Sequence, residues 1–306
     1  MASMTHHLSK RRTGAAPAAD EVRAFVRSHW LKDHPHKTTA AKAADHEEQL
    51  RSIERMTSLV ARTFSNVYRD NRPRGTDHAE STFWHNWRVA EAVRQSTKHD
   101  LLKTFAAFAH DLVEDTRKLS GHRQVTINDI TQIWTRANPH KQKQDRVLIA
   151  EVLHLKTDAG GLKGAERRMA QLHHVDAVRN GQHGSAGKMF VEILFADKHD
   201  NLMSDLLDVK AGYLRFGSAK QVMDLIHKKK SHDLAIVNHM PIAPKQIDIF
   251  FDAYKELATE LLSHDALIVS RGYAPKRAAV THRAIHKPSR FLGAPGKPPR
   301  SPVHHP

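Results

Sequence analysis

The chain has 306 residues, 40% of them hydrophobic, with 48 Lys and Arg against 33 Asp and Glu and a net charge of +15. That length carries one large domain or two small ones, and no stretch approaches the roughly 18–20 apolar residues of a membrane span. There is no cysteine, which excludes disulfides and thiolate-ligated zinc and leaves metal chemistry to 25 histidines and the carboxylates.

Residues 1–19 carry Lys10, Arg11 and Arg12 with no acid, and lack the apolar core of a secretory signal. They are expected to be a disordered basic arm on a cytoplasmic protein without a membrane partner. A helix over about 40–69 follows, with Leu50, Ile53, Met56, Val60, Phe64 and Val67 as its stripe. Further helices are predicted at about 82–97 and 101–115, and from Ile127 onward behind Thr126 as N-cap. Leu148, Val152 and Leu155 mark the next, and Glu166 through Val178 another. Longer helices are predicted at about 187–208, 218–238 and 244–270, the last with Ile247, Phe250, Phe251, Tyr254, Leu257 and Leu261 at helical spacing. Residues 272–306 hold seven Lys or Arg, no acid, and seven of the thirteen prolines, so a disordered basic tail is expected there. The two ends supply ten positive charges and leave about +5 for residues 20–271. Such arms give weak, salt-sensitive attraction to polyanions. No run of alternation or hairpin signal appears, so the predicted fold class is all-α.

Chemistry concentrates in His110-Asp111-Leu112-Val113-Glu114-Asp115, set into the apolar run Leu101, Leu102, Phe105, Ala106, Phe108 and Ala109. On one continuous helix, His110 and Glu114 lie a turn apart, as do Asp111 and Asp115, so the four share a face. Burying three carboxylates beside an imidazole is very costly without a compensating cation or charged substrate. At the end of such a helix, Glu114 and Asp115 also oppose its dipole, which argues for a partner. Upstream, His85 sits among Phe83, Trp84 and Trp87; alone on an apolar face it would read as a core residue. Downstream, an apolar run from Phe190 turns polar at Asp197, with Asn201 four residues on and facing the same way. His85, His110, Asp111 and Asp197 make a mixed nitrogen and oxygen set that suits Mn²⁺, with Fe²⁺, Mg²⁺ or Zn²⁺ open on ligand type. Glu114 and Asp115 are candidates to orient or deprotonate water. His99, His122, His154, His173, His174 and His183, with the run Lys228-Lys229-Lys230, read as surface.

A lone His, then His-Asp-x-x-Glu-Asp-Thr, then Ala-Asp-x-x-x-Asn after an apolar run, resembles the HD-domain phosphohydrolases. More narrowly, it resembles the hydrolase domain of the RelA/SpoT-type alarmone enzymes, in their short, hydrolase-only form. The resemblance covers roughly residues 45–210. It implies an HD-domain helical bundle over 20–215 and a C-terminal helical extension over 216–271 packed on it, between the arm 1–19 and the tail 272–306. It favours Mn²⁺ on His85, His110, Asp111 and Asp197, with Glu114 and Asp115 catalytic. Asn201, Lys156, Arg167 and Arg168 resemble positions that contact a guanosine nucleotide. The implied reaction removes the 3′-pyrophosphate of guanosine tetra- or pentaphosphate. Three departures stand out: Asn86 replaces the family's Pro, His199-Asp200 replaces a Leu-His pair, and residues 180–187 lengthen the interval between motifs. They keep open another HD phosphohydrolase, acting on a nucleoside monophosphate, a dNTP or the 2′-phosphate of NADPH. From a different class, a basic RNA- or ribosome-associated protein with a residual HD fold also stays open.

Overall fold

A computed structural model describes residues 16–30, 39–68, 80–119, 123–157, 162, 164–211, 216 and 218–270. The C-terminal tail and the N-terminal arm up to residue 15, both expected to be disordered, lie outside these, as does His122. Among the described residues the fold is all-α, apart from one isolated antiparallel bridge between Tyr68 and Ser81. The helices are α1 (Ala19–Trp30), α2 (Ala40–Thr63), α3 (Thr82–Ser96), α4 (Leu101–Ala109), α5 (Leu112–Lys118) and α6 (Ile127–Ile133). They continue as α7 (Pro139–Thr157), α8 (Gly164–Arg179), α9 (Gly184–Lys210), α10 (Ala219–Lys228), α11 (Ala235–His239) and α12 (Pro244–Ser270), with a π-helical turn over Lys229–Leu234 before α11.

Side-chain caps set several of the starts. Ser81 Oγ accepts from Phe83 N at the head of α3 and donates to Phe64 O, tying the end of α2 to it. Asp100 accepts from Leu102 N and Lys103 N at α4. Thr126 and Asp129 form the reciprocal capping box of α6, as the Thr126 signal predicts.

α9 occupies the middle. Its residues are apolar on most of the circumference from Met189 to Ala196, and it packs against α3, α4, α7, α8 and α12. A helix buried on all sides is what such a sequence requires. α4 packs against α2, α3 and α7, so α3, α4, α7 and α9 surround a common interior. One continuous hydrophobic core runs from Val22 and Val26 on α1 to Phe250, Leu257 and Leu261 on α12.

The chain departs from its sequence pattern at five places. α1 has no counterpart among the predicted elements; it packs on α2, and its Val22 and Val26 are fully buried. α2 ends at Thr63 rather than near 69, because Phe64 turns out of the helix yet stays buried. The segment expected as one helix over 101–115 is two, broken at His110 and Asp111. The helix expected over 218–238 is interrupted by the π turn, where Lys229 is buried against Asp205 (2.7 Å) and Asp233 (3.3 Å) instead of lying on a solvated face. On α12, Phe251 faces solvent with Lys255 over its ring, while Ala253 is buried instead.

Candidate metal centre

Three helices deliver four side chains to one point. His85 lies in the first turns of α3, where the Ser81 cap fixes the start. Asp197 lies midway along α9. His110 and Asp111 form the junction between α4 and α5. Asp111 there adopts φ −101°, ψ −8°, the sparsely populated bridge region where active-site residues often sit. The helical ladder breaks at this point: His110 N reaches only Ala107 O at 3.5 Å, and Asp115 N starts the new helix on Asp111 O at 2.8 Å.

The break reverses one expectation. Glu114 and Asp115 stand in the first turn of α5, where the helix dipole favours acids. Their placement is electrostatically ordinary, and the dipole argument for a partner falls away. His110 and Asp111 lie at the junction of the two helices, with Asp111 one turn ahead of Asp115 and its Oδ2 3.0 Å from His110 Nε2.

Both imidazoles present Nε2 to the cluster. His110 Nδ1 lies 2.7 Å from Ala107 O, a pure acceptor, so Nδ1 carries the hydrogen and donates. His85 Nδ1 lies 2.7 Å from Asp200 Oδ2 and donates likewise. His85 Nε2 is 3.4 Å from Asp111 Oδ2 and 3.4 Å from Asp197 Oδ1. His110 Nε2 is 3.0 Å from Asp111 Oδ2 and 3.9 Å from Asp197 Oδ1. Among the described residues, His85, His110, Asp111 and Asp197 form a group whose ligand atoms all lie within 4.8 Å of one another, and it could hold a metal ion. Donors bound about 2.1 Å from one ion stand roughly 3–4 Å apart, and the four contacts above fall in that range.

The chemistry of the set fits a cation. His110 Nε2 is buried without an aligned hydrogen-bond partner, and in the neutral ring, with its hydrogen on Nδ1, it would offer its lone pair to an ion. The Asp111 and Asp197 carboxyls are held well below the usual carboxylate range; burial opposes this, but His110 next to Asp111, and Lys156 beside Asp197, outweigh it. Both are therefore ionised at neutral pH. Burial also disfavours the imidazolium of His110, yet the adjacent Asp111 carboxylate prevails and raises its pKa. Asp111 is the one member with appreciable exposure, 20% of its side chain against 9% or less for the other three, so the cluster opens to solvent on its side.

The remaining site candidates separate. Lys156 is buried and bonds Asp197 Oδ2, not solvent. Asn201 donates to Asp197 Oδ1 at 2.7 Å, so in this structure it orients a candidate ligand. Arg167 Nη2 donates to Glu114 Oε2 (2.9 Å), and Lys118 Nζ to Glu114 Oε1 (2.7 Å), leaving both oxygens of Glu114 engaged by cations. Asp115 receives only a 3.3 Å contact from Lys118. Burial and the Asp111 charge push its pKa up to about 6. Arg168 turns to the C-terminal segment, donating to Ser231 O at 3.1 Å. His99, His154, His173 and His183 are exposed as expected, while His174 is half-buried beside the Phe190 ring.

Two residues that sequence reasoning passed over stand next to the cluster. Asp200 grips His85, and Arg88 grips Asp200 through Nε (2.6 Å) and Nη2 (3.1 Å). Their signal was the three-residue spacing of His85 from Arg88 and of Asp197 from Asp200, one helical face in each case. No helix of the described residues is long and apolar enough to cross a membrane. Compared with family models, with curated proteins and with solved structures, the chain matches none.

Proposed function

We propose that this protein is a metal-dependent phosphohydrolase that removes the 3′-pyrophosphate from guanosine tetra- or pentaphosphate, consuming one water and giving GDP or GTP and pyrophosphate. The observation that carries the hydrolase reading is the convergence of His85, His110, Asp111 and Asp197 from three helices, open to solvent beside Asp115 and Arg167. The choice of substrate rests on the resemblance of His110–Thr116 and of Ala196-Asp197 with Asn201 to the alarmone hydrolases.

Mn²⁺ is the cation proposed: the mixed nitrogen and oxygen set suits it, with Fe²⁺, Mg²⁺ or Zn²⁺ open on ligand type, and the resemblance favours it. When bound, it supplies Lewis-acid activation of the attacking water and of a phosphoryl oxygen. Asp115, raised above an ordinary carboxyl by burial and the Asp111 charge, receives one proton of the attacking water, and the 3′-oxygen takes a proton from solvent as its bond to phosphorus breaks. Glu114, tied on both oxygens, holds Arg167 in place. Arg167, with a third of its side chain exposed, is the cation offered to the substrate's phosphate oxygens. Lys156 and Asn201 hold the Asp197 carboxylate from its two oxygens.

A second reading, favoured by His199-Asp200 in place of the family's Leu-His pair, keeps the chemistry and changes the substrate to a nucleoside monophosphate, a dNTP or NADPH. The test is incubation of the full chain and Mn²⁺ with these nucleotides and with guanosine tetra- and pentaphosphate, products being resolved by anion-exchange chromatography. GDP or GTP with pyrophosphate is expected, abolished by a chelator and in Asp111→Ala. Orthophosphate from another nucleotide would move the protein to the second reading. No release from any of them, with salt-sensitive RNA binding instead, would end the hydrolase reading.

A further inference from the structure

Glu80, Arg88, Asp200 and His85 form a chain of alternating charge that ends on the cluster. Glu80 is fully buried just ahead of α3, and Arg88 Nη2 donates to its Oε1 at 2.7 Å. Arg88 meets Asp200 with two nitrogens, and Asp200 Oδ2 accepts from His85 Nδ1 at 2.7 Å. Asp197 and Asp200, three apart on α9, thus take the same imidazole from opposite edges. Asp197 approaches Nε2 (3.4 Å) and Asp200 holds Nδ1 (2.7 Å).

A buried carboxylate and guanidinium rarely serve stability better than apolar side chains of similar volume would. What this pair does achieve is directional. An ionised carboxylate only accepts, so the hydrogen of the neutral His85 ring is committed to Nδ1 and the lone pair to Nε2. The bidentate Arg88 fork fixes the plane of Asp200 and hence that of the ring. Resting on the metal reading above, we infer that Asp200, braced by Arg88 and Glu80, is a positioning residue that commits His85 Nε2 to the cation. Such outer partners of metal-bound histidines set ring orientation and ligand basicity, and their loss weakens metal affinity or activity about 10–100-fold.

The experiment is titration of the full chain with MnCl₂ by calorimetry, for the unsubstituted protein, Asp200→Asn and Asp200→Ala, with melting temperatures recorded in chelator. Asp200→Ala is expected to raise the Mn²⁺ Kd about 10–100-fold. Asp200→Asn should fall between, because its amide oxygen still accepts from His85 Nδ1. Affinity in that order, independent of the order of melting temperatures, separates positioning from mere support of the fold. Asp200→Ala binding Mn²⁺ as tightly as the unsubstituted protein would overturn the inference and leave the metal reading intact. No Mn²⁺ binding by the unsubstituted protein would overturn both. Should Asp200→Ala fail to fold, the ring nitrogen shifts of His85 in the unsubstituted, Zn²⁺-loaded protein decide: Nδ1 protonated and Nε2 bound supports the inference, and Nδ1 bound refutes it.

Discussion

Glu114 and Asp115 are adjacent in sequence and chemically alike, yet the structure gives them different partners. Glu114 is neutralised at both oxygens by Lys118 and Arg167. Asp115 is pushed up to about 6, first by burial and then by the Asp111 charge, with Lys118 opposing. A base must be ionised to act, so kcat is expected to climb with pH on an acid limb that lies below about 6, because a bound cation offsets the Asp111 charge that helps raise Asp115. Asp115→Asn should lower kcat by about 10²- to 10⁴-fold, the range of general-base contributions, and remove that limb. Glu114→Gln should act mainly on KM, by releasing Arg167. The same shift has a stability consequence. Because the folded-state pKa lies above that of the unfolded chain, ionising Asp115 destabilises the fold as pH rises through about 6. Metal-free Asp115→Asn should therefore melt higher than the unsubstituted protein above pH 6, and at the same temperature below about pH 3, where the carboxyl is protonated in both states. Equal kcat in Asp115→Asn and the unsubstituted protein would remove the base from the proposed mechanism.

Between helices, buried ion pairs connect the C-terminal segment to the helix that carries Asp197. Lys198 on α9 reaches Asp233 at 3.2 Å, and Lys229 bridges Asp205 and Asp233 at 2.7 and 3.3 Å. His232 Nδ1 adds a 2.9 Å contact to Asp233. The π turn carries both Lys229 and Asp233, each of them buried. Asp233→Ala would leave Lys198 and Lys229 buried with one partner fewer, and should cost about 3–5 kcal/mol in urea denaturation. Burial opposes the ionised Asp233, but Lys198 leads the groups that hold its pKa far below the ordinary value. Its contribution is thus present above pH 4 and lost as pH falls further, so the variant and the unsubstituted protein should converge in acid. Loss of less than about 1 kcal/mol at pH 7 would show that the segment docks by apolar contacts alone. The ladder also marks where sequence stops being legible. His110, Asp111 and Asp197 stood out because each polar group interrupts an apolar run, a local signal, whereas His85 alone read as a core residue and was set apart only by its place ahead of the His-Asp pair. Lys229 looked like one of three solvated lysines because its partner Asp205 lies 24 positions away. Asp200 looked like a departure from a motif because its partner Arg88 is 112 positions distant. The break at His110 was hidden by Leu112 and Val113, which stay buried and continue the apolar spacing across it. Periodicity reports burial, and burial survives a kink.

At the scale of the molecule, the cluster joins parts of the chain that nothing local holds together: residue 85 on α3, residues 110 and 111 after α4, and residue 197 on the central α9. The unfolded chain has no such arrangement, so a cation that binds the folded cluster must stabilise the fold as a whole. Saturation to about 100 times Kd corresponds to roughly 2.7 kcal/mol, which for a chain of this size shifts the melting temperature by on the order of 5 °C. Mn²⁺ should produce that shift in the unsubstituted protein, and in Asp115→Asn, which keeps all four donors. Asp111→Ala should show almost none. The comparison matters because 25 histidines offer adventitious sites, and a site that binds folded and unfolded chains alike leaves the melting temperature unmoved. Raising the pH from 6 to 8 should enlarge the shift, since the raised pKa of His110 means a proton competes with the cation at the lower pH. An equal shift in Asp111→Ala would place the binding elsewhere, and the convergence of α3, α4 and α9 would then be a buried polar network with no cation to serve.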